Sequence, residues 1–271
     1  MTQDEAGRTA IDPYSPAEMA QRVEAGGVAK AAVDAPRTFA LAVLAGAFIG
    51  LGAMASTVAG ADTGLGYGPT RLLVGVVFSL GLILVLVGGA ELFTGNSLIV
   101  MAWASRRLTT AALLRNWAVV YAGNLVGASA TAVGIGLTGV HSLGNGKVAA
   151  TALAIARAKC SLDFGEAVAR GVFCNALVCL AVWLGFSART TTDKILCIVF
   201  PVTAFVAAGF EHSVANMYFI PAGMLLQGET DAPITWSCFL VGNLLPVTIG
   251  NIAGGSVMVG LAYWFIFLRR R

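Results

Sequence analysis

His212 lies within a long apolar stretch of the chain. Imidazole is the one side chain that gains or loses a proton near neutral pH without help, so a histidine there suits proton exchange with the anion of a weak acid. It belongs to a six-residue segment, Glu211-His-Ser-Val-Ala-Asn216, with a counterpart 120 residues earlier in Glu91-Leu-Phe-Thr-Gly-Asn96. Each segment sets an asparagine five positions after a glutamate. Ionisable groups in apolar surroundings are costly unless they line a protected path, which marks both segments as candidate functional sites. The glutamates can accept from loop backbone or hold a neighbouring side chain, a role that suits a buried carboxylate better than direct proton transfer. Gly95 permits a backbone turn, and Asn96 or Ser213 can cap a helix starting there, aiming N–H groups and a positive dipole end at an anion. The other histidine, His141, falls in a connecting loop and reads as solvated.

The elements that position these groups follow from composition. Of 271 residues, 57% are hydrophobic and 11% charged, with a mean hydropathy of +0.80, which is more apolar surface than a water-soluble core hides. Apolar runs of membrane-crossing length fall near 37–59, 72–104, 108–137, 162–187, 195–226 and 234–268. The second and fifth are too long for one plain helix, and each carries its Glu/Asn segment at a polar interruption, which predicts helices broken inside the membrane. Gly123-Asn-Leu-Val-Gly127 in the third run is echoed by Gly242-Asn-Leu-Leu in the sixth at an offset of 119, close to that of the two Glu/Asn segments. Three spans per half force the second half to enter the membrane reversed. The expected fold is thus an all-α membrane protein of six transmembrane helices in two inverted three-helix repeats, 36–138 and 162–271, joined by an extracytoplasmic loop at 139–161.

Residues 1–35 are polar and show no cleavable signal, which puts the N-terminus in the cytoplasm. Twelve basic residues then fall on that side, Arg8, Arg22, Lys30, Arg37, Arg106, Arg107, Arg115, Arg189, Lys194 and Arg269 to Arg271, against Arg71, Lys147, Arg157 and Lys159 outside and Arg170 within the fourth span. An even number of spans returns the C-terminus to the cytoplasm of a bacterial-type inner membrane. Ser15-Pro16-Ala17-Glu18 has the form of a capping box that opens a helix to about Ala32, read either as lying on the cytoplasmic surface or as gating a pore. The net charge of +3 needs no nucleic-acid partner. Cys160, Cys174, Cys179, Cys197 and Cys238 lack metal spacing and read as small residues packed between helices. No metal or cofactor is implied. Gly123-Asn-Leu-Val-Gly127 and Gly250-Asn-Ile-Ala-Gly254 fit close helix packing, with Asn124, Asn243 and Asn251 as interhelical hydrogen-bonders.

Four ordered motifs, Glu91-Leu-Phe-Thr-Gly-Asn96, Gly171-Val-Phe-Cys-Asn-Ala-Leu-Val-Cys-Leu-Ala-Val-Trp183, Gly209-Phe-Glu-His-Ser-Val-Ala-Asn-Met-Tyr-Phe-Ile-Pro221 and Gly242-Asn-Leu-Leu-Pro-Val-Thr-Ile-Gly-Asn-Ile-Ala-Gly-Gly255, resemble the formate/nitrite transporter family. The resemblance implies a homopentamer with one pore per protomer, an aquaporin-like arrangement of spans, and conduction of small monovalent anions: formate, nitrite, hydrosulfide and in some members acetate or lactate. It further implies a path in which His212 faces Thr94 across a central chamber, with Asn175 hydrogen-bonding nearby, Lys159 at the outer approach, and Glu211 and Asn216 beside it. Leu92 and Phe93 in the broken loop, Val178, Phe78, Leu82 and Phe205 would form the apolar constrictions, Val178 on the cytoplasmic side and Phe205 on the outer.

An anion entering a narrow apolar slit loses hydration at a cost of several kcal/mol, whereas the neutral acid passes more easily. The expected mechanism has Lys159 and the half-helix ends draw the anion in, while His212, oriented by Thr94 or Asn175, supplies or relays a proton. The Leu-Phe-Thr loop and the Asn-Met-Tyr-Phe-Ile-Pro stretch look more like formate-transporting members of the family than nitrite-specific ones, with hydrosulfide left open. The alternatives are a neutral-solute channel and an intramembrane enzyme using Ser129 or Ser213 with His212, the latter without a GxSxG elbow or HExxH helix to support it.

Overall fold

A computed structural model describes residues 12–228 and 233–269; Arg8, Arg270 and Arg271 of the charge argument lie outside them. The described chain is all-helical. In order come α1 (Pro16–Ala32), α2 (Ala35–Gly60), α3 (Tyr67–Gly88), α4 (Gly95–Ala104), α5 (Thr110–Gly136), α6 (Lys147–Cys160), α7 (Phe164–Gly185), α8 (Thr191–Ala207), α9 (Ser213–Leu226) and α10 (Cys238–Phe267). Among the described residues α2, α3, α5, α7 and α10 are long and apolar enough to cross a membrane, and α4 and α9 are shorter apolar helices.

Helix starts follow local chemistry. Ser15 and Glu18 form the expected capping box, and Asp34, Thr109 and Thr190 each accept from a backbone N–H of the first turn they cap. Two interruptions divide apolar stretches that run continuously in the sequence. Helix α3 ends on Gly89 at φ +82° and α8 is followed by Gly209 at φ +74°, left-handed conformations that glycine adopts without strain. Six residues separate α3 from α4 and five separate α8 from α9, and both Glu/Asn segments start in those gaps.

Two helix pairs meet at backbone distance. A Cβ on Gly127 of α5 would lie 1.9 Å from the carbonyl oxygen of Val43 in α2, and one on Gly254 of α10 would lie 2.0 Å from that of Val172 in α7. No side chain larger than hydrogen fits at either crossing, so both small-residue motifs act as packing seams. Two expectations are corrected. The segment 139–161 is not a plain loop, because Lys147–Cys160 forms α6, a helix too short to cross a membrane but able to carry Lys159 to the bundle. Cys160 and Cys238 form a disulfide across 78 residues, joining the end of α6 to the start of α10; they are not merely small packing residues, and only folding brings their Cα atoms to 5.6 Å.

Candidate functional site

The site is built where the two interruptions meet inside the bundle. Asn124 on α5 donates to the carbonyls of Ala42 (2.7 Å) and Glu91 (2.9 Å) and accepts from the Phe93 N–H (2.9 Å). Asn251 on α10 repeats the arrangement, donating to the carbonyls of Gly171 and Glu211 (both 2.9 Å) and accepting from the Ser213 N–H (2.9 Å). Each asparagine is fully buried and replaces the backbone bonds that an interrupted helix gives up. The glutamates follow the same plan. Asn96 donates to Glu91 (2.7 Å) and Asn116 (2.9 Å); Asn216 donates to Glu211 (2.6 Å) and Asn243 (2.7 Å).

These bonds correct the sequence alignment of the two halves. The geometric partner of Asn124 is Asn251, 127 residues on, and Asn243 instead matches Asn116. They also correct the expected caps: among the described residues neither Asn96 nor Ser213 caps a helix, because Asn96 lies within the first turn of α4 after Thr94 and His212 takes the cap position on α9.

Each carboxylate holds a lysine. Lys159 lies 2.9 and 3.0 Å from the two carboxylate oxygens of Glu211, with side chains 13% and 5% exposed. Lys30 on α1 lies 2.7 Å from Glu91 and 3.1 Å from Asn96 Oδ1. In the sequence Lys30 is one of the cytoplasmic basic residues, on a helix read as lying on the surface or gating a pore. The helix is docked instead, with Met19, Ala20 and Val23 buried against a cluster that includes Leu98, Met101 and Trp183. A buried pair contributes little net stability, but removing one partner strands a charge at about 3–5 kcal/mol. Lys159→Leu should therefore destabilise more than Lys159→Leu with Glu211→Gln, read as thermal midpoints in detergent; a single variant as stable as the double would refute the pairing.

His212 is 3% exposed. Its Nδ1 accepts from the Ala215 N–H at 3.0 Å, capping α9, and its Nε2 lies 2.9 Å from Thr94 Oγ1. With Nδ1 engaged as acceptor, the neutral ring carries its proton on Nε2 and donates toward Thr94. Protonating Nδ1 would set two N–H groups against each other, so the imidazolium forms only when the ring releases its cap. Asn175 does not touch the ring; its amide lies 3.2 Å from the Thr94 carbonyl, 3.1 Å from Ser97 Oγ and 2.7 Å from the Asn251 carbonyl, so it orients the Thr94 loop.

Two cavities lie beside the interruptions, one touching His212 and the other touching Leu92, Gly95 and Asn96 next to Thr94. One, of about 200 Å³, is lined by Lys159, Glu211, His212, Phe78 and Phe205 with Arg71 and Arg170. The other, of about 320 Å³, is lined by Lys30, Glu91, Asn96, Leu82, Leu92 and Lys194. Phe78 and Leu82 are one turn apart on α3, so about 6 Å of helix separates the linings. Phe205 meets Phe78 edge-on at 5.9 Å and lies nearly parallel to the His212 ring at 6.0 Å. Val178 is buried in the same apolar cluster as Leu82 and Leu92. Phe93 lines neither cavity but is buried in that cluster too, its ring edge-on against Tyr121 (4.9 Å) and Trp117 (6.2 Å). Among the described residues no cluster of His, Cys, Asp and Glu has the makings of a metal site.

Residues 17–265 match the family model described as Formate/nitrite transporter. The chain is 43% identical to the formate channel FocA of Escherichia coli strain K12, covering 96% of both chains, and 41% identical to a probable formate transporter of Methanothermobacter thermautotrophicus, covering 94% of this chain and 97% of that one. Among solved structures it is similar to a pentameric formate channel with formate bound (TM-score 0.80, 42% identity, 87% of this chain and 98% of that one) and to an FNT family ion channel (TM-score 0.82, 30% identity, 92% and 98%).

Proposed function

This chain belongs to the formate/nitrite transporter family, and on that premise we propose that it is a membrane channel for small monovalent anions, formate first, in which the substrate crosses two apolar necks with its charge neutralised at His212. The observation that carries the proposal is the His212 to Thr94 bond of 2.9 Å, standing between two cavities that each hold a lysine paired with a carboxylate. It is not an enzyme: its relatives are channels and transporters, and the Ser129 hydroxyl donates to the Met217 carbonyl.

The proposed architecture is six membrane spans in two inverted three-helix repeats of aquaporin-like form, with α3 to α4 and α8 to α9 as the interrupted spans. The matched bonding of Asn124 and Asn251 and of Glu91 and Glu211 supports it. The proposed assembly is a homopentamer, by likeness to the pentameric channel. Both termini face the cytoplasm of a bacterial-type inner membrane, on the charge distribution. Lys159 then marks the outer cavity and Lys30 the inner one.

In operation, Lys159 or Lys30 draws formate into a cavity, where paired carboxylates keep either lysine from holding it too tightly. Beyond lie Phe78 and Phe205 on one side, and Leu82, Leu92 and Val178 on the other. Moving a carboxylate into such a neck costs several kcal/mol, and desolvation raises its proton affinity. Formate accepts from Nε2–H and leaves the pair as the neutral acid when the ring, freed from its Ala215 cap, holds a second proton. Asn175 keeps the Thr94 loop in register during this exchange, and Asn216 fixes Glu211 so that its charge stays paired with Lys159. Labelled formate should equilibrate across empty proteoliposomes containing the protein, faster than nitrite or hydrosulfide. Swelling in glycerol without formate entry would identify a neutral-solute channel instead.

A further inference from the structure

The Lys159 cavity contains two further cations, Arg71 on α3 and Arg170 on α7, that take no part in the exchange at His212. Arg71 donates to the carbonyls of Val206 and Ala207, and Arg170 donates to that of Gly209 at 3.1 Å. These carbonyls belong to the C-terminal end of α8 and the turn after it, the negative end of that helix dipole, which faces an anion's approach. A Cβ built on Gly209 would lie 3.6 Å from one guanidinium and 3.7 Å from the other, so the two groups converge on a single residue. Each guanidinium has five N–H donors, and the hydrogen bonds seen here use only part of that number. Glu166 pairs with Arg170 at 2.5 Å on its far side, where both side chains are partly exposed and solvent weakens the pair.

We infer that Arg71 and Arg170 form a resting site for a small monovalent carboxylate or oxyanion, placed before the Phe78 and Phe205 neck and distinct from the Lys159 to Glu211 pair. Capping the α8 carbonyls turns an anion-repelling helix end into a receiving one. Planar forks of N–H donors match the two oxygens of a carboxylate. Among the described residues the Lys30 cavity is lined by a second lysine, Lys194, and by no arginine, so only the Lys159 cavity offers planar forks to an anion.

The inference rests on the transport reading above, and the test separates the two. Formate entry is measured from each face, in right-side-out and inside-out membrane vesicles at equal pH on both sides, for the unmodified protein, Arg170→Gln, Arg170→Lys, Arg71→Gln and Glu166→Gln. Gradient-driven flux keeps the ratio of maximal rate to KM equal from the two faces. Loss of a resting site therefore raises KM and maximal rate together from the Lys159 face and leaves KM from the other face unchanged. Arg170→Gln and Arg71→Gln should raise that KM about 3- to 10-fold at low salt and much less at 0.5 M salt, where charges are screened beyond about 3–4 Å. Arg170→Lys should restore most of the effect, and Glu166→Gln should lower KM. Equal falls in maximal rate from both faces, or KM values that ignore salt and the sign of the charge removed, would assign the arginines to loop support alone. Failure of the unmodified protein to move formate would overturn the transport reading instead.

Discussion

His212→Phe is expected to cut formate entry into proteoliposomes at neutral pH by about 10²-fold, the low end of what a positioned proton donor contributes to a reaction. The phenyl ring keeps the planar contact with Phe205, so the neck should remain filled. What disappears is the donor to Thr94, the acceptor for the Ala215 N–H and every proton the ring could carry. Losing a helix cap costs about 0.5–2 kcal/mol, less than the stability of most folded domains, so assembled protein should still be recovered. His212→Asn controls for the cap, since asparagine is a good N-cap and still offers an N–H donor. It should retain the assembly and more flux than the Phe variant. Uptake measured at pH 5.5 and 7.5 checks the claim, and His212→Phe matching the unmodified protein at both would remove the ring from the mechanism.

The second large effect concerns folding. Asn251→Leu strands the Ser213 N–H and the carbonyl of Glu211 inside an apolar bundle and takes a second bond from the Gly171 carbonyl, which keeps its helical one. Each stranded group costs about 1–3 kcal/mol, so the total of about 2–6 kcal/mol is a large share of the stability of a typical domain. Little folded protein should survive extraction, and the mirror variant Asn124→Leu should behave alike because its three bonds correspond one for one. Asn251→Asp replaces the acceptor for Ser213 but gives nothing to the two carbonyls, so it should remain impaired. Yield and thermal midpoint in detergent measure the outcome; an Asn251→Leu midpoint within a degree or two of the unmodified protein would mean that the loop finds its partners elsewhere.

What the chain reveals before folding depends on which physical signal a residue carries. Glu91, Glu211 and His212 stand out because charge in an apolar run is costly, and the Thr94 to His212 pairing follows from the family resemblance. Lys30 escaped notice because a lysine in an amphipathic helix outside the apolar runs looks like any solvated charge. Only the docking of α1 carries it to Glu91. The alignment of the halves slipped for a different reason. The second half has seven more residues between its glutamate and the asparagine that Asn216 bonds, about two helical turns, so Asn243 and Asn251 both stand at plausible positions. Hydrogen bonds decide between them. The Cys160 to Cys238 disulfide depends on a contact between α6 and α10 that spacing along the chain does not encode.

The central claim is that formate crosses without its charge, and the charge moved per formate tests it most directly. Proteoliposomes held at a fixed membrane potential, with labelled formate flux and current recorded together at pH 5.5 and 7.5, should show formate moving with almost no net current and one proton taken up or released per molecule. A current equal to one elementary charge for each formate, at both pH values and unaltered in His212→Phe, would mean that the bare anion passes the necks and that the ring neutralises nothing.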